Sequence, residues 1–159
     1  MNVAIREAQP TDLRPLAELF DLYRQFYEQP PDLALAMQFI EARQARQESV
    51  ILVAESASDG LVGFCQLYPT FCSVEARPIY TLYDLFVLPG ARKLGVGRLL
   101  LLAAEATAVE AGKARMDLTT ARSNVAAQSL YESLGWVRDD VFFAYNRRVD
   151  RAGSDVPAP

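Results

Sequence analysis

The stretch Arg92-Lys93-Leu94-Gly95-Val96-Gly97-Arg98 gathers the residue types that hold a phosphate. Its two glycines let the backbone approach a bulky anion with no Cβ in the way. A helix pattern follows at once, and the free N–H groups and dipole of a helix start favour negative charge. Arg92, Lys93 and Arg98 add full positive charges, and no acidic residue lies between Asp84 and Glu105. In physical terms this is a pyrophosphate cradle; the alternative is a glycine-containing turn beside a solvated basic face. Nucleotide motifs do not fit. Leu100 stands where a dinucleotide fingerprint needs its third glycine, and Gly97 is followed by Arg98-Leu99 rather than the Lys-Ser/Thr of a P-loop.

Asp84 is the second candidate. Within Tyr80-Thr81-Leu82-Tyr83-Asp84-Leu85-Phe86, period-two alternation puts it on one face with Leu82 and Phe86. A carboxylate on a largely apolar strand needs a partner or a wet cleft. Desolvation would raise its pKa, which suits a general base, while an ion pair with an arginine is the other reading. The aromatic residues Tyr23, Phe26, Tyr27, Tyr68, Phe71 and Phe142 could line an acceptor pocket or pack a core.

Absences narrow the chemistry. The chain has no histidine, which excludes Ser-His and Cys-His catalysis and histidine-ligated metals, and no metal site is expected. Cys65 and Cys72 are the only thiols, too few for structural zinc and not in a redox spacing. A ping-pong route through Cys65 lacks a basic neighbour to lower its pKa. Net charge is −4, which argues against a general nucleic-acid binder; an acidic protein with one basic spot suits a small anion better. No apolar run is long enough to span a bilayer and no signal peptide is visible, so neither a membrane nor an export route is expected and the default location is cytoplasmic.

These groups need a scaffold. The 159 residues fit one domain with a sizeable core, expected over 1–149, with a disordered tail at 150–159. Val3–Ala8 reads as a strand. Pro10-Thr11-Asp12 starts a helix through about Tyr27, Pro30-Pro31 ends it, and Asp32 caps a second through about Gln47. Val50–Glu55 and Leu61–Tyr68 read as strands about a Ser58-Asp59-Gly60 turn. The segment from Pro69 to Pro78 reads as a loop, and Ile79–Val87 as a strand stopped by Pro89-Gly90. A long helix from Gly95 to Ala111 ends at Gly112. Arg115–Thr120, Asn124–Leu134 and Trp136–Tyr145, the last a strand or hairpin, complete the order β-α-α-β-β-β-α-β-α-β, a mixed α/β sheet covered by helices. The apolar last strand and open sheet edges permit a homodimer.

With these elements in place, a family resemblance emerges. Arg92-x-x-Gly95-x-Gly97, directly after Leu85-Phe86-Val87-Leu88-Pro89, resembles the acyl-CoA-binding motif of the GNAT N-acetyltransferase superfamily. Asn124-x-x-Ala127-x-x-Leu130-Tyr131-x-x-Leu134-Gly135-Trp136 is similar to that family's second signature. The likeness runs through Tyr145 and is nearest to a small histone- or polyamine-acetyltransferase-like branch. Tyr83 departs from it, because relatives that prefer polyamines often carry an extra acid there.

The resemblance implies a GNAT-like fold and acetyl-CoA as co-substrate. Backbone N–H groups from Arg92 through Lys93, Leu94, Gly95, Val96 and Gly97 to Arg98 would bind the pyrophosphate. The strand edge at Leu85, Phe86 and Val87 would pair with the pantetheine arm. Asn124 and Ala127 would meet the pantetheine end, and Tyr131 would sit near the thioester sulfur as general acid. Tyr23 and Tyr27, with Asp84, would form the acceptor wall. The expected reaction is acetyl transfer from acetyl-CoA to a primary amine by direct attack in a ternary complex. The alternatives are a protein lysine or N-terminal acetyltransferase, and a non-catalytic acyl-CoA-binding regulatory module. Neutralising an alkylammonium of pKa ~10.4 at pH 7 costs about 4–5 kcal/mol, against about 2 kcal/mol for charging a thiol of pKa ~8.5, so the base matters more than the acid.

Overall fold

A computed structural model describes residues 2–150. Contacts divide the chain into two compact units, one through Thr119 and one from Thr120.

The first unit is built on strands β1 (Val3–Glu7), β2 (Val50–Ser56), β3 (Gly60–Cys72), β4 (Arg77–Val87) and β5 (Met116–Asp117), with helices α1 (Leu13–Phe26), α2 (Leu33–Ala45) and α3 (Val96–Glu110). The sheet order is β1-β2-β3-β4-β5. The first three pairings are antiparallel and β4–β5 is parallel. This is the mixed α/β sheet that the pattern predicts.

Local chemistry sets the helix starts. Asp12 closes a short 3-10 turn ahead of α1 by accepting the Gln9 N–H at 2.7 Å. It also takes both arms of Arg6 at 2.7 and 3.0 Å, while Arg6 Nε reaches Glu55 at 2.8 Å, so β1, β2 and the start of α1 are tied together. Asp32 caps α2 through the Leu35 N–H at 3.0 Å. Leu16, Ala17, Leu19 and Phe20 of α1 and Ala36 and Ile40 of α2 pack on Ile51, Val53, Phe64 and Phe86 of the sheet. The opposite face takes α3, where Cys65 Sγ lies 4.0 Å from the Leu100 carbonyl. Gly63 permits that close approach, since a Cβ there would stand 2.9 Å from the Phe86 carbonyl and 3.4 Å from Leu100.

Three expectations are corrected. The segment from Pro69 to Pro78 is not a loop: β3 runs to Cys72, β4 begins at Arg77, and Pro69 pairs with Tyr80 and Phe71 with Pro78. The β2 ladder ends at Val50–Leu67, so Pro69 sits where β3 has a neighbour on one side only and its missing N–H breaks no ladder bond.

The second correction concerns β4 itself. Gln66 pairs with Asp84 but Leu67 pairs with Leu82, so Tyr83 is an extra residue. This β-bulge reverses the alternation. Asp84 and Phe86 therefore face α1 with Gln66 and Phe64, whereas Leu82 joins Leu67 on the other face.

The third lies in the second unit, where α4 (Val125–Ser133) forms but the strand expected at Trp136–Tyr145 does not. Asp139 Oδ1 accepts the N–H groups of Val141 and Phe142 at 2.8 and 3.2 Å, a local turn that competes with an extended ladder. The tail from 151 onward lies outside the described residues.

Candidate active site

The bulge aims Asp84 into a cavity of about 720 Å³ bounded by α1, α2, β3 and β4. Asp84 is only 3% exposed. Gln66 Nε2, from the paired position on β3, donates to Asp84 Oδ2. Ser49 Oγ donates to Gln66 Oε1 at 2.7 Å, which fixes the amide so that its NH2 end faces the carboxylate. The Tyr23 hydroxyl donates to the Tyr83 carbonyl at 3.2 Å and also reaches Asp84. Burial raises the Asp84 carboxyl above its ordinary range, and the Gln66 and Tyr23 hydrogen bonds pull partly back. Among the described residues Asp84 makes no salt bridge, so its partners are neutral donors rather than an arginine.

Tyr23, Tyr68 and Tyr83 line the same cavity, with Tyr68 and Tyr83 edge to face at 5.8 Å. Tyr27 packs edge-on against Tyr23 at 5.2 Å and is 46% exposed, outside the lining. Phe26 and Phe71 also lie outside it. Burial raises the Tyr23 phenol most, followed by the charge of Asp84. On the opposite face, burial pushes the Cys65 thiol up to about 12, the wrong direction for an acyl carrier.

The glycine-rich turn has the backbone its sequence requires. Lys93 and Gly95 take φ of 62° and 83°, and Gly95 is the N-cap of α3. The first α-type bond of that helix runs from the Leu99 N–H to the Gly95 carbonyl at 3.0 Å. Val96, Gly97 and Arg98 therefore present N–H groups with no partner inside the helix. Lys93, Leu94, Gly95 and Arg98 are exposed.

Arg92 is turned otherwise. Its N–H closes the Pro89–Ala91 turn onto the Pro89 carbonyl at 3.3 Å. Its Nε donates to the Val87 carbonyl at 2.9 Å, with the guanidinium over the Phe86 and Phe26 rings. Because β5 pairs with β4 only at Tyr80 and Thr81, the outer edge of β4 from Leu82 through Leu85, Phe86 and Val87 has no strand partner among the described residues. An anion-accepting helix start beside an open strand edge fits a phosphorylated carrier with an amide-bearing arm.

The second unit carries the other signature. Asn124 Oδ1 accepts the Ala127 N–H at 3.3 Å and so caps α4. Tyr131 is half-buried beside Trp136, ring centroids 6.0 Å apart.

Residues that sequence reasoning passed over are Gln66 and Ser49, the Tyr83 ring, and Arg24 and Arg43 in the cavity wall. Gln66 did leave a trace, as the one amide in the apolar run Leu61–Tyr68.

Known proteins share this fold. The model of the Acetyltransferase (GNAT) family matches residues 16–136. An uncharacterised N-acetyltransferase of Bacillus subtilis strain 168, YhfO, is 46% identical over 141 residues, 89% of this chain and 94% of that one. The crystal structure of a probable acetyltransferase superposes with a TM-score of 0.85 at 36% identity, covering 94% of this chain and 99% of the other. The fold is also that of AAC(6')-Iy in complex with the bisubstrate analogue CoA-S-monomethyl-acetylneamine, with a TM-score of 0.76 at 22% identity over 93% and 99% of the two chains. The chain belongs to the GNAT acetyltransferase family, and is an acyl-CoA-dependent acetyltransferase.

Proposed function

We propose that the protein transfers an acetyl group from acetyl-CoA to the primary amine of a small molecule by direct attack in a ternary complex. The observation that carries this reading is Asp84, a carboxyl raised by burial in the wall of a cavity of small-molecule size. An acceptor arrives as an ammonium, and a base with an elevated pKa takes its proton with less loss of driving force than an ordinary surface carboxylate. Asp84, directly or through a water, accepts that proton. The amine nitrogen then bonds to the thioester carbonyl carbon, and the carbon–sulfur bond breaks with its electron pair going to sulfur. Tyr131 gives the thiolate a proton, and the second nitrogen proton, released as the amide forms, restores the Tyr131 phenol through solvent.

The helix start at Val96, Gly97 and Arg98 holds the pyrophosphate, and the open edge at Leu85, Phe86 and Val87 aligns the pantetheine amides. Asn124 and Ala127 contact the arm near its thiol end. The Arg92 side chain, bound to the Val87 carbonyl, braces the edge rather than the anion. A cytosolic setting suits the two free thiols, Cys65 and Cys72.

Release of free CoA from acetyl-CoA across a panel of small amines, lysine peptides and peptide N-termini tests the reading. Turnover on small amines supports it, turnover on peptides alone would move the acceptor to proteins, and acetyl-CoA binding without turnover on any amine would leave a regulatory acyl-CoA-binding module.

A further inference from the structure

Two arginines line the cavity that holds Asp84: Arg24 from α1 and Arg43 from α2. Their side chains are only 18% and 20% exposed. Each guanidinium is incompletely satisfied. Arg24 Nη1 is buried without a hydrogen-bond acceptor, since Asp21 Oδ1 stands 3.7 Å away and already takes the Asp32 N–H at 2.9 Å. The other Asp21 oxygen takes the Gln25 amide at 3.1 Å.

Arg43 Nε is also buried without a hydrogen bond; Glu48 Oε2 lies 2.8 Å from it but off the N–H direction. Glu48 is 41% exposed and is shared with Arg46 at 3.7 Å. The Arg43 guanidinium lies over the Phe39 ring, 4.4 Å from its centroid, which restricts its orientation. The Tyr68 phenol, in the same wall, feels both charges: after burial, that of Asp84 pushes it up and that of Arg43 pulls it down.

The two unsatisfied atoms are themselves buried, so a ligand would meet the remaining N–H groups of each guanidinium, a group shaped to fork onto a carboxylate. Asp84 at one wall suits an amine; Arg24 and Arg43 suit an anion. Such a cavity repels a polyamine, which would bring extra positive charge to the two arginines.

We infer that the acceptor is a small amine that also carries a carboxylate, its amine directed to Asp84 and its carboxylate to the Arg24 and Arg43 guanidinium groups. This rests on the acetyl-transfer reading above for the identity of the reaction, and extends it to the class of acceptor.

The test compares amino acids with their α-carboxamides, which keep the amine and nearly the same shape but lose the negative charge. With acetyl-CoA, the wild-type enzyme should show kcat/KM at least ~10-fold higher for the best amino acid than for its carboxamide, the scale of one charge-assisted hydrogen bond. In Arg24→Gln and Arg43→Gln that ratio should fall by ~10-fold, and Arg24→Lys should recover part of it. A ratio near one in the wild type, with turnover present, overturns the anionic acceptor and leaves acetyl transfer standing. If no amine turns over, calorimetric titration of the same amino acids into the acetyl-CoA-loaded protein decides the matter. Binding that is lost in Arg43→Gln upholds the carboxylate site although the transfer reading fails, and no binding overturns both. Melting curves of each variant identify loss of folding, and Arg24→Lys serves if a glutamine variant is unfolded.

Discussion

Gln66 and Asp84 face each other across paired strands, and the amide of one donates directly to the carboxylate of the other inside the sheet. Ser49 holds the amide in the orientation that makes this donation. The contact tunes Asp84, because a hydrogen bond to the ionised form lowers a pKa that burial has raised. In Gln66→Leu the carboxyl should rise further. Since Asp84 acts as a base only when ionised, the acidic limb of the kcat/KM profile should move to higher pH. A limb that stays in place while stability falls would make Gln66 a purely structural residue.

That pair also marks how far the sequence could be read. The turn at Gly95 and the start of α3 were legible because glycine conformation and helix-end electrostatics are properties of adjacent residues. Asp84 stood out as a charge in an apolar strand. Gln66 and Ser49 did not, because only the strand register brings them to Asp84, and the bulge at Tyr83 sets which face they share. Simple alternation through that bulge put Leu82 on the wrong side.

Arg24 and Arg43 sit at positions that, in a helix pattern, pass for solvated surface. The prolines at 69 and 78 masked the ends of a long hairpin, and the span Trp136–Tyr145 read as a strand or hairpin where the Asp139 carboxylate holds a turn.

Gly95 adopts φ 83° at the N-cap of α3, and a Cβ there would meet nothing within 4 Å. The penalty in Gly95→Ala is thus backbone strain alone, of about 1–2 kcal/mol for a left-handed alanine. The turn should relax away from its anion-binding shape, raising KM for acetyl-CoA by ~10-fold, equivalent to about 1.4 kcal/mol, with KM for the amine little changed. Steady-state kinetics with each substrate varied in turn measures this. An unaltered acetyl-CoA KM would remove the turn from cofactor binding.

Tyr131→Phe removes a hydroxyl while keeping the ring beside Trp136. Loss of a general acid should lower kcat by ~10²-fold and leave the acetyl-CoA dissociation constant within about 3-fold. Calorimetry for binding and CoA release for turnover separate the two. Unchanged turnover would refute the assigned role.

Asp12 links the start of α1 to β1 through Arg6, and hydrogen bonding to Arg6 holds its carboxyl below the usual range. A depressed carboxylate stabilises the fold above its unfolded pKa, and this stabilisation is lost as pH falls through the folded value. Asp12→Asn should therefore lose about 2 kcal/mol in urea unfolding at pH 7. The gap between variant and wild type should narrow as pH drops below ~4, through the range where the wild-type carboxyl becomes protonated.

The central claim is that Asp84 is the base for an amine attacking acetyl-CoA. Its most direct test is CoA release by the wild type and Asp84→Asn over pH 5–9, with one turned-over amine as acceptor. The wild type should show kcat/KM rising with pH through an ionisation above the ordinary carboxyl range. Asp84→Asn should be ~10²–10³-fold slower near neutrality, with that ionisation gone from the profile. An Asp84→Asn enzyme that keeps wild-type rates and the same acidic limb would contradict the account.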